Sequence, residues 1–373
     1  MGPLRSFAKE AGLVAATTLG AGIFALPFVF LKAGWLAGLF YLVILAVIIV
    51  SVHILYFRVL EKVNEKNRLL GLARAYLGKL GFAVGLFAIL GGLILTLVVY
   101  LILGGKFVQL LFPSFSSNLA ILIFWVVSAM PLLLKERRSL NLEILGIILT
   151  AAIIIFIFFT SDPGGALSQI NAFNWRNALL PFGAILFALA GWTSVEPVFD
   201  VERRLKSELT PAAQPYFALA AGTAIAAVLY VVFVTGIFGS SGAITSDTVS
   251  GLLGWPKYKL VLLAILGLFA VWTPHLPIGL EIKHSLENDL HLGRAFSLGL
   301  VIFLPIILIF LGLNSFARVV GLVGGVFLST QYLLMILVGK KVLELGRIKS
   351  ILLYFVSLIF VAAAVYEVYY FFH

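Results

Sequence analysis

Thr17-Thr18-Leu19-Gly20-Ala21-Gly22-Ile23-Phe24-Ala25-Leu26-Pro27 lies inside the first apolar stretch of this 373-residue chain. Two hydroxyl residues, two glycines and a proline weaken a helix at the depth where lipid should surround it. Backbone that leaves the helix there must face protein or a polar cavity, because lipid cannot satisfy its N–H and C=O groups. A helix broken in mid-membrane builds a ligand site, so the segment points to transport.

The rest of the chain sets the class. It is 62% hydrophobic and only 11% charged, with a mean hydropathy of +1.13. Soluble domains sit near half apolar and a quarter charged. Apolar runs of about twenty residues recur along the whole length, each long enough to cross a bilayer. The first run does not read as a cleavable signal peptide: it is long, lacks a small-residue cleavage site and holds the break. No cysteine is present, so a disulfide framework and a thiolate metal site are both excluded.

The pattern predicts an all-α polytopic membrane protein with about eleven spans. They cover roughly 8–32, 35–57, 81–105, 118–134, 140–161, 178–200, 214–238, 258–281, 295–313, 317–338 and 349–371. The longest polar connections, 58–79 and 162–177, are loop-sized, so residues 1–373 read as a single transporter domain.

The formal charge of +10 invites a nucleic-acid reading, but its distribution opposes it. With the N-terminus inside, twenty of the 26 lysines and arginines fall on inner segments. Lys32, Lys106, Arg176, Lys257, Lys259 and Arg318 are outside. That bias predicts a cytoplasmic N-terminus and, with an odd span count, an extracytoplasmic C-terminus. The basic excess is an orientation signal beside anionic inner-leaflet lipid. The lipid bilayer is therefore a partner; nucleic acid is not, and no protein partner is named by the sequence. A prokaryotic plasma membrane is the expected location, from economy of length and tails.

A second weak point is Phe187-Ala188-Leu189-Ala190-Gly191-Trp192-Thr193-Ser194-Val195-Glu196-Pro197, in span six. Glycine and proline also serve as packing positions in membrane helices. Here, however, the two interruptions lie five spans apart, in halves that cross the membrane in opposite senses. That is a five-plus-five inverted repeat, with discontinuous helices meeting near the midplane. The repeats cover about 8–161 and 178–338, and 349–371 is an extra helix.

Gly20 to Pro27 resembles the first-helix signature of the amino acid/auxin permease family and of the bacterial aromatic amino acid permeases. Both belong to the amino acid–polyamine–organocation superfamily. Phe187 to Pro197 is similar to that superfamily's broken sixth helix. In span eight, Phe269-Ala270-Val271-Trp272-Thr273-Pro274-His275-Leu276-Pro277-Ile278-Gly279-Leu280 is similar to an aromatic-permease stretch. The resemblance implies a leucine-transporter-type fold and an amino acid substrate.

The physics of a broken helix suits a zwitterion. The first N–H groups of the outer half of span one, around Gly20, Ala21 and Gly22, lack helical partners and carry partial positive charge. They can hold a carboxylate. Freed carbonyls around Thr17–Leu19 and Phe187–Ala190, including Ala188, can accept from the ammonium. Thr17, Thr18, Thr193 and Ser194 either add hydroxyls or bond back to a carbonyl one turn earlier. In similar permeases an aromatic residue near the position of Trp192, next to Gly191, covers the bound side chain; packing is the other role open to it. Phe24 and Phe187 are further aromatic candidates. Together they favour a neutral or aromatic substrate.

No cofactor is expected, and the coupling ion is expected to be a proton. In sodium-coupled relatives span-one carbonyls and two adjacent hydroxyls of span eight form the cation site. Leu19 and Thr273 match part of it, but Pro274 stands where the second hydroxyl belongs. A basic residue of span five replaces sodium in some proton-coupled relatives, and Leu140 to Ser161 has none. Ionisable groups within spans tend to be functional. Glu196, past the second break, carries a proton or pairs with Arg203 or Arg204. His275 exchanges protons or packs at a kink. Glu143, His53 and Glu281 read as interfacial. Related folds close the inner side with a salt bridge, for which Arg5 has Asp289 or Glu281 as partner; plain positive-inside anchoring is the alternative.

Other classes fit less well. An intramembrane enzyme needs a Gly-x-Gly-Asp, His-Glu-x-x-His or Gly-x-Ser-x-Gly pattern, and the chain has none. A channel calls for a repeated pore ring or filter. An amino acid sensor on a transporter scaffold would keep the site and lose flux.

Overall fold

The computed structural model describes residues 3–63, 68–133, 140–162, 170–207, 215–240, 243–288 and 290–372. Among the described residues seven helices are long and apolar enough to cross a membrane, one bent pair at the N-terminus makes an eighth, and three shorter apolar helices fall where the other expected spans lie. No strand occurs among the described residues. The chain is a multi-pass membrane protein. The face at which Pro3 begins is called proximal below, and the opposite one distal.

Span one is two helices. Its proximal half, Pro3–Thr18, ends where Thr17 and Thr18 both donate to carbonyls four residues back, Leu13 and Val14, at 2.8 Å. Such back-bonds compete with the helix ladder and bend it. Gly20 is extended, a 3-10 turn follows over Ala21–Ala25, and the distal half is Leu26–Ala33. Pro27 occupies the first turn of that half, where its missing N–H costs nothing. The halves are bent by 47°.

Span six repeats the design in the opposite sense. Its distal half, Pro181–Leu189, stops at Ala190 and Gly191, a 3-10 turn covers Trp192–Ser194, and the proximal half is Val195–Ser207. Ser194 donates its hydroxyl to the Gly191 carbonyl at 2.6 Å. The two breaks touch. A Cβ on Gly22 would lie 2.7 Å from the Ala188 Cα, and one on Gly191 would overlap the Thr18 hydroxyl. Tyr230, in span seven (Pro215–Phe238), shares its single hydroxyl proton between the carbonyls of Thr18 and Ala188, each 2.6 Å away. One phenol therefore ties together the two ends that the breaks leave unsatisfied.

The remaining spans are Trp35–Val63, Leu69–Leu111, Ser117–Leu133, Leu140–Phe159, Lys257–Trp272 continued by His275–Asn288, Arg294–Phe310, Phe316–Val342 and Arg347–Phe372. Three departures from the sequence reading matter. Span three begins at Leu69, twelve residues before the expected 81, because a helix extends into it through a non-helical Gly78 at φ 73°. Span eight is interrupted at Thr273–Pro274. Span ten has a π-helical turn, Val323–Leu328, beside Gly183 of span six.

The distal side is sealed. Phe24 packs edge-on against Phe107 and Phe233, with ring centroids 5.5 and 5.4 Å apart. Thr248, in the loop after span seven, donates to the Phe24 carbonyl at 2.6 Å. The end of the 162–177 connection folds back: Trp35 and Leu36 N–H groups reach the Asn171 and Ala172 carbonyls at 3.1 and 3.0 Å. Gly34, at φ 98°, makes the turn that lets this loop approach.

Candidate functional site

A cavity of about 1070 Å³ runs from the two breaks to residues at the proximal ends of the spans. Gly20, Ala21 and Gly22 form its floor with Phe187, Ala190, Trp192 and Thr193. The first hydrogen bond of the distal half of span one runs from Ile23 N–H to the Gly20 carbonyl at 3.3 Å. The amides before it are the unpaired start of that half. Arg68, Glu281, Lys283, His284 and Arg294, all from proximal ends of spans or the adjoining loops, surround the mouth.

Thr17, Thr18, Leu19, Glu196 and Thr273 also line the cavity. The hydroxyls of Thr17 and Thr18 are spent on the helix end, so these residues offer the site mainly their shape. The carbonyls of Thr18 and Ala188 are held by Tyr230, which leaves fewer acceptors for an ammonium than the sequence reading allowed. Leu19 and Thr273 share the cavity, and Pro274 next to Thr273 brings no hydroxyl.

Four expected site residues do not line it. Phe24 is buried in the distal plug. Ala188 and Gly191 are used up where the breaks cross, since only small residues fit there. His275 is buried edge-on to Phe124, with ring centroids 6.5 Å apart, as a residue at the interruption of span eight. His53 is not interfacial either: its Nε2 lies 3.0 Å from the Tyr332 hydroxyl in the core. The side chains of Glu143, Arg5 and Arg204, and the whole of Asp289, lie outside the described residues, and with them the Arg5 salt bridge.

Among the described residues Glu196 is held by partners that the sequence reading did not name. Tyr56 donates to its Oε1 at 2.6 Å, the Arg68 guanidinium to its Oε2 at 2.6 Å, and Leu69 N–H to Oε1 at 3.3 Å. Both oxygens are engaged. The carboxylate latches the start of the long third helix to the proximal half of span six, at the edge of the cavity.

Sequence reasoning missed Thr96, Tyr100 and Gln331. These come from spans three and ten and line the cavity wall. The Tyr100 hydroxyl would be 3.6 Å from a Cβ at Gly20. Gln331 donates to the Ala88 carbonyl at 2.8 Å. None sits in a run with a helix-breaking composition, so no local signal marks them.

A family model described as transmembrane amino acid transporter protein matches residues 5–242. Among solved structures, a manganese transporter of Eremococcus coleocola in complex with an aromatic bis-isothiourea substituted compound is similar over 98% of this chain and 87% of its own, with TM-score 0.66 and 14% identity. The inward facing conformation of Mhp1 is similar over 88% of this chain and 76% of its own, with TM-score 0.57 and 16% identity. At these identities the likeness shows the fold: the inverted-repeat transporter fold with broken first and sixth helices. No curated protein matches the chain.

Proposed function

From the premise that this chain belongs to the transmembrane amino acid transporter protein family, we propose that it imports neutral or aromatic amino acids by alternating access, driven by protons. The chain is a secondary transporter and not an enzyme; substrate, ion and cycle are the proposal. The observation that carries it is the cavity itself. It reaches the crossing of the two breaks, opens at one face and is sealed at the other.

The chemistry follows from the floor. A carboxylate approaches the unpaired amides at Gly20–Gly22, where no side chain blocks it. The ammonium meets the remaining carbonyls at the break. Phe187, Trp192 and Tyr100 offer aromatic surface to the side chain, supporting a large apolar or aromatic substrate. The proximal face is assigned to the cytoplasm by the lysine and arginine bias. On that assignment the structure is inward-open. Sodium is less favoured because Thr273 has no second hydroxyl beside it.

Uptake of labelled tryptophan, tyrosine and leucine into proteoliposomes tests this, first under a proton gradient and then under a sodium gradient. Accumulation with the proton gradient alone is expected. Accumulation with sodium alone would contradict the ion assignment. Binding without flux in either gradient would mean a sensor, and no binding at all would remove the amino acid assignment.

A further inference from the structure

Span eleven holds an acid that the cavity does not use. Glu367 is only 3% exposed, although it lies five residues from the end of its helix. It enters a niche made by missing side chains. A Cβ on Gly183, Gly321 or Gly325 would run into its carboxylate or its stem. Gly183 belongs to the distal half of span six, and the other two to span ten, where Gly325 lies in the π turn. Gly324 of that same turn is pressed against the Gly183 carbonyl. A crevice of about 10 Å³, room for roughly one water, joins the acid to Ala25 and Phe28 of span one. Spans one, six and ten are thus held together around one carboxyl group, on the sealed side of the molecule.

Among the described residues no cationic side chain faces this group, and the donor it meets is the Gly183 backbone N–H, in the first turn of the distal half of span six. Its Oε1 meets no hydrogen-bond partner among the described residues. The titratable groups nearby are Tyr366 and Tyr370 on its own helix and Tyr41 on span two. Tyr369, Lys32 and Arg318 are exposed, and the distal half of span six has no titratable side chain. Burying an ionised carboxylate without a counter-ion costs far more than burying the neutral acid. One amide donor and no counter-ion make the niche a better host for the acid than for the anion.

We propose that Glu367 is a proton-binding site that controls the distal gate. The distal halves of spans one, six and ten pack as seen when the carboxyl carries a proton taken from the distal medium. Opening hydrates the group and returns the proton to that medium; no other bond changes. This rests on the alternating-access reading. One proton per closure makes the closed-to-open ratio change by about tenfold per pH unit while the group titrates, with closure favoured by acid.

The chain has no cysteine, so Ala317→Cys, beside the crevice, supplies a single thiol. Its labelling by a charged maleimide is measured in lipid nanodiscs across pH, normalised to the unfolded protein at each pH. Labelling is expected to rise by up to about tenfold per pH unit with Glu367 present and to be flat and low with Glu367→Gln. An infrared C=O band of a protonated carboxyl at neutral pH, lost in Glu367→Gln, is the second expected result. The same pH dependence in both proteins would overturn the proposal, as would wild-type protein with no such band. If Glu367→Gln fails to fold, Glu367→Asp should keep a titrating band with a displaced labelling profile; an undisplaced profile overturns the proposal. Neither measurement uses an amino acid, so failure of uptake would refute the transport reading without deciding this one.

Discussion

Gly20 and Gly22 are two residues apart and have different jobs. A methyl at Gly22 would meet the Ala188 Cα at 2.7 Å and a Phe187 ring carbon at 2.9 Å, so backbone must move. A methyl at Gly20 would meet only the Tyr100 hydroxyl, at an ordinary 3.6 Å. Gly22→Ala should therefore destabilise the protein by about 1–3 kcal/mol, the usual cost of overpacking, read as a lower melting temperature. Gly20→Ala should melt like the parent protein but bind amino acid roughly tenfold more weakly, about 1.4 kcal/mol, because the methyl stands where a carboxylate would approach. Equal melting temperatures for the two variants would contradict the crossing geometry. Both glycines stand out in the sequence as helix breakers at membrane depth, but whether such a glycine packs or lines a site is settled only by what approaches it. Tyr230 does not stand out. It is an ordinary aromatic residue in an apolar helix, and its role arises only from carbonyls 212 and 42 positions away.

At the scale of elements, the latch at Glu196 joins the long third helix to span six. Its two sides differ in burial. The Arg68 side chain is 62% exposed and that of Glu196 is 11% exposed. The ion pair alone is therefore worth under about 1 kcal/mol. Tyr56, in contrast, is fully buried and has Glu196 as its acceptor. Arg68→Ala should lower stability by less than about 1 kcal/mol, whereas Glu196→Ala should cost about 1–3 kcal/mol because a buried hydroxyl loses its partner. Thermal or chemical unfolding of the two variants checks the order; a larger loss in Arg68→Ala would contradict it. The sequence pointed to Glu196 from its place after the second break, but proposed Arg203 or Arg204 as partner from nearness along the chain. The arginine that holds it lies 128 residues away, at a helix start the hydrophobic pattern did not reveal. The interruption of span eight and the π turn of span ten were also hidden. The first looked like a proline kink, and the second depends on Gly183 approaching from another span. Glu367 sits among tyrosines at a helix end, a composition that reads as an interfacial belt.

For the whole molecule, span number, the inverted repeat and the two breaks were all readable, because each is imposed by the bilayer acting on hydropathy, charge and helix breakers. Which side of the site is open was not, since that depends on packing between Phe24, Phe107, Phe233 and Thr248 from four separate segments. The most direct test of the account uses Ala190→Cys as the only thiol in the chain, placed in the cavity at the second break. A membrane-impermeant reagent is applied from each side in turn to oriented proteoliposomes, with and without tryptophan. Faster labelling from the cytoplasmic side, slowed by tryptophan, is expected. Labelling that tryptophan leaves unchanged from either side would contradict an amino acid site at the crossing of the broken helices.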